Sequence, residues 1–229
     1  MTAWAVVGDT VVRQRRAWLA MTLGFTLIYY ISLLLGVVIR LGHLPNYVTF
    51  HDWPDNVLKI IGSTPSVRDM LAIISDEWLV EIGRMNYAYG RGIAEWSLVI
   101  NPAAVAITLL LGAAVATCVL LLRRARVCCP PPVRGAGMAA TGLGVLLVSA
   151  TNVTVTWAAH CGVASWVVGL ALIGIETTSV FALIPYGNLL SGSGFSVVLA
   201  TIYCLARRCV ALAPPAPIVS PGRLVMQDR

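Results

Sequence analysis

ASWVVGLALIGIETTSVFALI, residues 164–184, is the stretch on which the reading of this fold turns. A helix needs about 20 apolar residues to cross about 30 Å of hydrocarbon, and this run is long enough, yet it carries Glu176 near its centre. Four companions of comparable length carry no acid: Trp18 to Ile39, Pro102 to Leu122, Ala136 to Ala158 and Leu189 to Ala206. With residues 164–184 the chain has five spans, and without them four. The sequence therefore reads as all-α, a multi-pass transmembrane helical bundle of four or five spans with an external amphipathic helix.

Composition supports that class. The 229 residues are 58% hydrophobic and 11% charged, where a soluble domain carries roughly 25% charged residues. The membrane domain takes up residues 18–206, leaving a basic N-terminus, residues 1–17, and a proline-rich basic tail, residues 207–229. The net charge of +6 is not a nucleic-acid footprint, because the charges are sorted by segment. Arg13, Arg15 and Arg16 precede the first span, Arg123, Arg124, Arg126 and Arg134 lie between the second and third, and Arg207 and Arg208 follow the last. Between the first and second spans the balance reverses: Asp52, Asp55, Asp69, Asp76, Glu77, Glu81 and Glu95 outnumber Lys59, Arg68, Arg84 and Arg91. The positive-inside rule then puts both termini and the 123–134 loop in the cytoplasm and the acidic 41–100 loop outside. That arrangement needs an even number of crossings, so charge favours four where hydropathy counts five. The location is an integral membrane, plasma or inner, with bacterial and mitochondrial inner membranes equally compatible.

Cysteine placement argues against a disulfide framework. The acidic loop has none, and Cys128 and Cys129 sit in the basic inner loop just before Pro130-Pro131-Pro132, a position where thiols can be S-acylated. In the external loop, Thr64-Pro65-Ser66 with Asp69 reads as a helix start. Val67, Met70, Leu71, Ile74 and Trp78 then recur at helical spacing, opposite Asp69, Ser75, Asp76 and Glu77. The expected helix runs from about Ser66 to Gly83, its apolar face docking on a partner protein. Within the spans, Tyr29 and Tyr30 are placed to meet another helix, and the third span is rich in glycine, serine and threonine and contains Asn152.

Two groups hold candidate chemistry. His43, His51 and His160, with Cys161 adjoining, fall at the outer ends of spans and have the ligand types of a zinc or copper site, although no pair has ligand spacing on one helix. Glu176, as an acid inside an apolar run, is a proton or cation ligand if that run crosses, and a polar edge if it does not. No nucleotide-binding or hydrolase motif is present, and the chain does not divide into two similar halves. No cofactor is expected beyond bound lipid. The reading that accounts for most features is a non-catalytic membrane subunit or scaffold, packed with other membrane-protein subunits in a hetero- or homo-oligomer. A transporter or metal-dependent membrane enzyme using Glu176 or the histidines is a further reading.

The large first external loop, short basic inner turn, inner juxtamembrane cysteines and inward tail also resemble the layout of claudins, which implies a free-standing tetraspan surface protein. The chain lacks that family's tryptophan-glycine-leucine-tryptophan signature and its paired external cysteines, so no residue role carries over.

Overall fold

The computed structural model describes residues 2–88, 90, 92–125, 131–157, 169–170, 182 and 184–211. In chain order the elements are α1 (Ala3–Arg13), α2 (Arg15–Leu41), β1 (Tyr47–Phe50), α3 (Trp53–Ser63), α4 (Val67–Asp76), β2 (Val80–Asn86), β3 (Ile93–Ile100), α5 (Pro102–Ala125), α6 (Pro131–Thr151) and β4 (Val155–Trp157). A 3-10 turn, Ile184–Tyr186, then leads into the last helix, α7 (Gly187–Ala211).

Among the described residues three helices are long and apolar enough to cross a membrane: α2, α5 and α7. Helix α6 is apolar over Gly135–Thr151, a shorter run. Along α2, Leu19, Leu23, Leu27, Ile31, Leu35 and Ile39 form one ridge at four-residue intervals, each between 47% and 79% exposed. At 1.5 Å per residue that ridge is about 30 Å long, the thickness of the hydrocarbon layer, so its exposure is that of a lipid-facing stripe.

Helices α6 and α7 pack antiparallel. Gly137 faces Thr201 and Leu205, while Gly144 faces Gly194 and Val198. A Cβ on Gly144 would stand 2.7 Å from the Gly194 carbonyl oxygen, and one on Gly194 would stand 2.8 Å from that of Gly144. The two backbones therefore touch where neither has a side chain, the close approach that small residues permit in membranes. Because the helices run oppositely, the end of α6 and the start of α7 lie at the same end of the bundle.

The other end gathers the arginines. Helix α1, whose Thr2 hydroxyl caps it by accepting from Ala5 N–H, lies against the last turns of α5 and α7. Its Val6 joins a core with Cys118, Leu121, Ile202, Leu205 and Cys209. Asp9 pairs with Arg13 at 2.6 Å and with Arg124 at 3.0 Å, and Arg124 also donates to the Thr10 hydroxyl at 2.8 Å. Hydrogen bonds from Arg13 and then Arg124 hold the Asp9 carboxyl below its ordinary pKa. The basic N-terminus is thus a docked helix rather than a free segment.

The opposite end corrects the all-helical expectation. β1, β2, β3 and β4 form one antiparallel sheet in that order. Gly83 pairs with Tyr47 on one side and Ser97 on the other. A Cβ on it would come within 2.5 Å of the Trp96 carbonyl oxygen and 2.7 Å of the Tyr47 hydroxyl, so glycine is required by the close approach. Trp96 and Leu98 of β3 are buried with Val37, against Leu33, Leu34, Val38 and Leu41 of α2 and Val153. The sheet therefore sits on the end of the first long helix.

Two expected boundaries move for the same reason. The helix expected from Ser66 to Gly83 stops at Asp76, with Glu77 already extended, because Val80–Asn86 is taken by the sheet. The start is as read: the Ser66 hydroxyl accepts from Asp69 N–H at 3.4 Å. The span expected to reach Ala158 stops at Thr151, because Val153-Thr154-Val155-Thr156-Trp157 is a β-branched and aromatic run that suits a strand, and β4 pairs with β3.

Candidate functional site

Where α2, α5 and α6 approach the sheet, polar side chains link them inside the apolar bundle. Asn152, just past the end of α6, donates through Nδ2 to the Thr108 hydroxyl at 2.8 Å and to the Ala104 carbonyl at 3.0 Å, both on α5. The Tyr29 hydroxyl of α2 donates to the Ser149 carbonyl of α6 at 3.1 Å, and its ring meets Tyr30 edge-on at 5.3 Å. Asn101 begins α5 as a cap, accepting from Ala104 N–H at 2.8 Å. In hydrocarbon a polar group without a partner costs several kcal/mol, so Asn152 is held where the two acceptors are. Farther toward the arginine end, the Trp18 indole N–H donates to Thr117 at 3.0 Å, a second tie between α2 and α5.

The sheet end holds the described members of the histidine group. His43 is exposed in the segment that follows the left-handed cap Gly42. His51 stacks edge-on against Trp78 at 5.6 Å, with its Nε2 3.8 Å from a Glu81 oxygen. The other Glu81 oxygen accepts from the Tyr47 hydroxyl at 2.7 Å. Burial first, and the bond to Glu81 next, push the Tyr47 phenol up to about 12. One Glu81 oxygen is thereby committed to Tyr47, while His51, just past the end of β1, stands beyond hydrogen-bond distance of the other. Among the described residues no three His, Cys, Asp or Glu side chains gather as a metal would require. His160, Cys161, Glu176, Cys128 and Cys129 lie outside the described residues.

Between β1 and β2 the helices α3 and α4 form a hairpin that buries no residue. The Asp52 side chain caps α3 by accepting from Asp55 N–H, and Asn56 Nδ2 donates to Glu77 at 2.7 Å to hold the hairpin to the start of β2. Of the residues read as partner-docking, Met70 and Ile74 are half-buried, while Val67, Leu71 and Trp78 are exposed. The sequence reading missed further uncovered neighbours: Phe50 is 78% exposed, Leu58 69% and Ile61 50%. The signal for α3 was present in Asp52-Trp53-Pro54-Asp55, a cap followed by proline in the first turn and an acid.

No protein-family model, curated protein or solved structure matches this chain.

Proposed function

We propose that this chain is a non-catalytic integral membrane subunit that assembles with partner membrane proteins through the hairpin of α3 and α4 and the adjoining strand β1. The observation that carries the reading is the apolar surface left uncovered there: Phe50, Leu58, Ile61, Val67 and Leu71 are each at least half exposed. Soluble surfaces rarely carry large apolar patches unless something binds them. The acidic residues around it, Asp52, Asp55, Asp69 and Asp76, disfavour an anionic lipid surface as the cover. A partner subunit fits both facts.

The same reading takes the bundle to cross four times. Because α6 and α7 are antiparallel, the end of α6 and the start of α7 lie together at the sheet end, and the two ends of the described chain meet at the arginine end. With Arg13, Arg123, Arg124, Arg207 and Arg208 on one side, that side is cytoplasmic by the positive-inside rule and the sheet is external.

Purification of the full chain from its native membrane in mild detergent tests the assembly. A membrane polypeptide in fixed ratio is expected with the wild type and is lost when Leu71→Asp and Phe50→Asp are combined. A monodisperse chain without any partner, or a partner that the double variant retains, contradicts the reading.

A further inference from the structure

We infer that the cleft between α2 and α6 binds an anionic phospholipid of the leaflet on the arginine-rich side. The cleft has a volume of about 790 Å³, within the roughly 300–1,000 Å³ range of small-molecule sites. Phe25 of α2 forms one wall, Val119 and Leu122 of α5 the floor, and Met138 and Val145 of α6 the other wall. Its only charged lining residue among those described is Arg123.

The shape follows from where the helices are tied. Toward the sheet, Tyr29 joins α2 to α6 and Asn152 joins α6 to α5. Toward the arginine end no such bond spans α2 and α6 among the described residues. The wall of α6 there includes Gly135 and Gly142, and a Cβ on either would meet nothing within 4 Å. Thr141 also lines the cleft, but its hydroxyl donates to the Gly137 carbonyl at 2.8 Å and so is already satisfied within the helix. What remains is an apolar slot fit for an acyl chain.

Arg123 supplies the headgroup end. It borders both the cleft and a polar hollow of about 440 Å³ shared with Asp9, Arg13 and Arg124. Arg13 and Arg124 both pair with Asp9, while Arg123 has no carboxylate partner among the described residues. The hollow therefore brings three guanidinium groups against one carboxylate, at the place where an apolar slot opens. A guanidinium fork matches a phosphate, and basic pockets beside spans on this side recognise anionic headgroups. A soluble anion has no use for the apolar walls, and a zwitterionic lipid carries beside its phosphate a cationic group that the excess of guanidinium over carboxylate repels.

Native mass spectrometry of the full chain in detergent, with dioleoylphosphatidylglycerol or dioleoylphosphatidylcholine added, tests this. The wild type is expected to bind the anionic lipid at least about tenfold more tightly than the zwitterionic one. Arg123→Ala removes the preference, and Arg16→Ala, an exposed arginine outside the hollow, leaves it intact. Gly142→Phe and Gly135→Phe, which place a ring in open space, weaken both lipids while the thermal unfolding temperature stays that of the wild type. Equal loss in Arg16→Ala assigns the effect to general surface charge and overturns the proposal. So does displacement of the lipid by inorganic phosphate, or unchanged lipid binding in both glycine variants. A stoichiometric polypeptide released by Gly142→Phe, with lipid binding unchanged, gives the cleft to a protein partner instead.

Discussion

Along α6, the glycines on one face meet α7 and those on another meet nothing. Gly144 stands against the Gly194 backbone, where any side chain would collide with a carbonyl, while Gly135 and Gly142 look into the open cleft beside α5. The same residue type closes one interface and keeps another apart. Composition alone, a helix rich in small residues, does not distinguish these uses. What distinguishes them is what a Cβ would encounter, and that depends on whether the neighbouring helix is tied along its length or only at one end.

Substitutions separate the two faces, beginning with the largest effect. Gly144→Leu forces backbone apart at the α6–α7 contact, and overpacking of this kind costs about 1–3 kcal/mol or more. A lower thermal unfolding temperature in detergent, with Cys209 becoming reactive as α7 loosens, is the expected outcome. Asn152→Ala removes the tie at the closed end of the cleft. Interhelical hydrogen bonds in membranes average about 0.6 kcal/mol and reach about 1.7, so a loss near 1 kcal/mol is expected by unfolding in mixed detergent. A larger loss would mean that Asn152 organises the bundle rather than pinning one corner of it.

Acid should act at the opposite end. The Asp9 carboxyl is held below its ordinary pKa by Arg13 and Arg124, so its contribution is present in full above the unfolded carboxylate value and is lost as pH falls through the lowered one. Docking of α1, followed by the fluorescence of Trp4 against Tyr203, should weaken only in that acid range. In Asp9→Asn the docking should be weaker at neutral pH and lose this acid dependence. The smallest change is expected from Gly142→Ala, which fills open space on a helix and should leave stability unchanged or raise it by up to about 1 kcal/mol. The same substitution at Gly144 should destabilise, and that opposition of sign is the sharpest test of the two-face description.

How much was legible in the sequence follows the range of the interactions. The ends of α5 were readable because Asn101-Pro102 caps it and arginines end it, all within its own turns. The sheet was only partly so: β1 and β2 are separated by two helices and β4 arrives only after α5 and α6, which leaves β2 with β3, joined across residues 87–92, as the one pair within a local window. Val153 to Trp157 read as the tail of a span, since hydropathy scores valine and tryptophan alike in helix or strand. Helix α1 was missed because its stability rests on Arg124 and α7, which are distant in sequence. At the candidate site, Asn152 stood out as an amide in an apolar run, but its partners Ala104 and Thr108 lie more than 40 residues away. The cleft had no sequence signature, because Gly135 and Gly142 look the same in the sequence as Gly137 and Gly144.

In the proposed four-crossing bundle the sheet lies on one side of the membrane and both ends of the described chain on the other. The direct test places His43→Cys and Ala211→Cys separately in a background whose native cysteines are replaced, and treats intact cells or sealed vesicles of known orientation with a membrane-impermeant thiol reagent. Labelling of the residue 43 cysteine at once, with labelling of the residue 211 cysteine only after the membrane is opened, is the predicted result. Labelling of both before opening would put the ends of the chain on opposite sides and contradict the account.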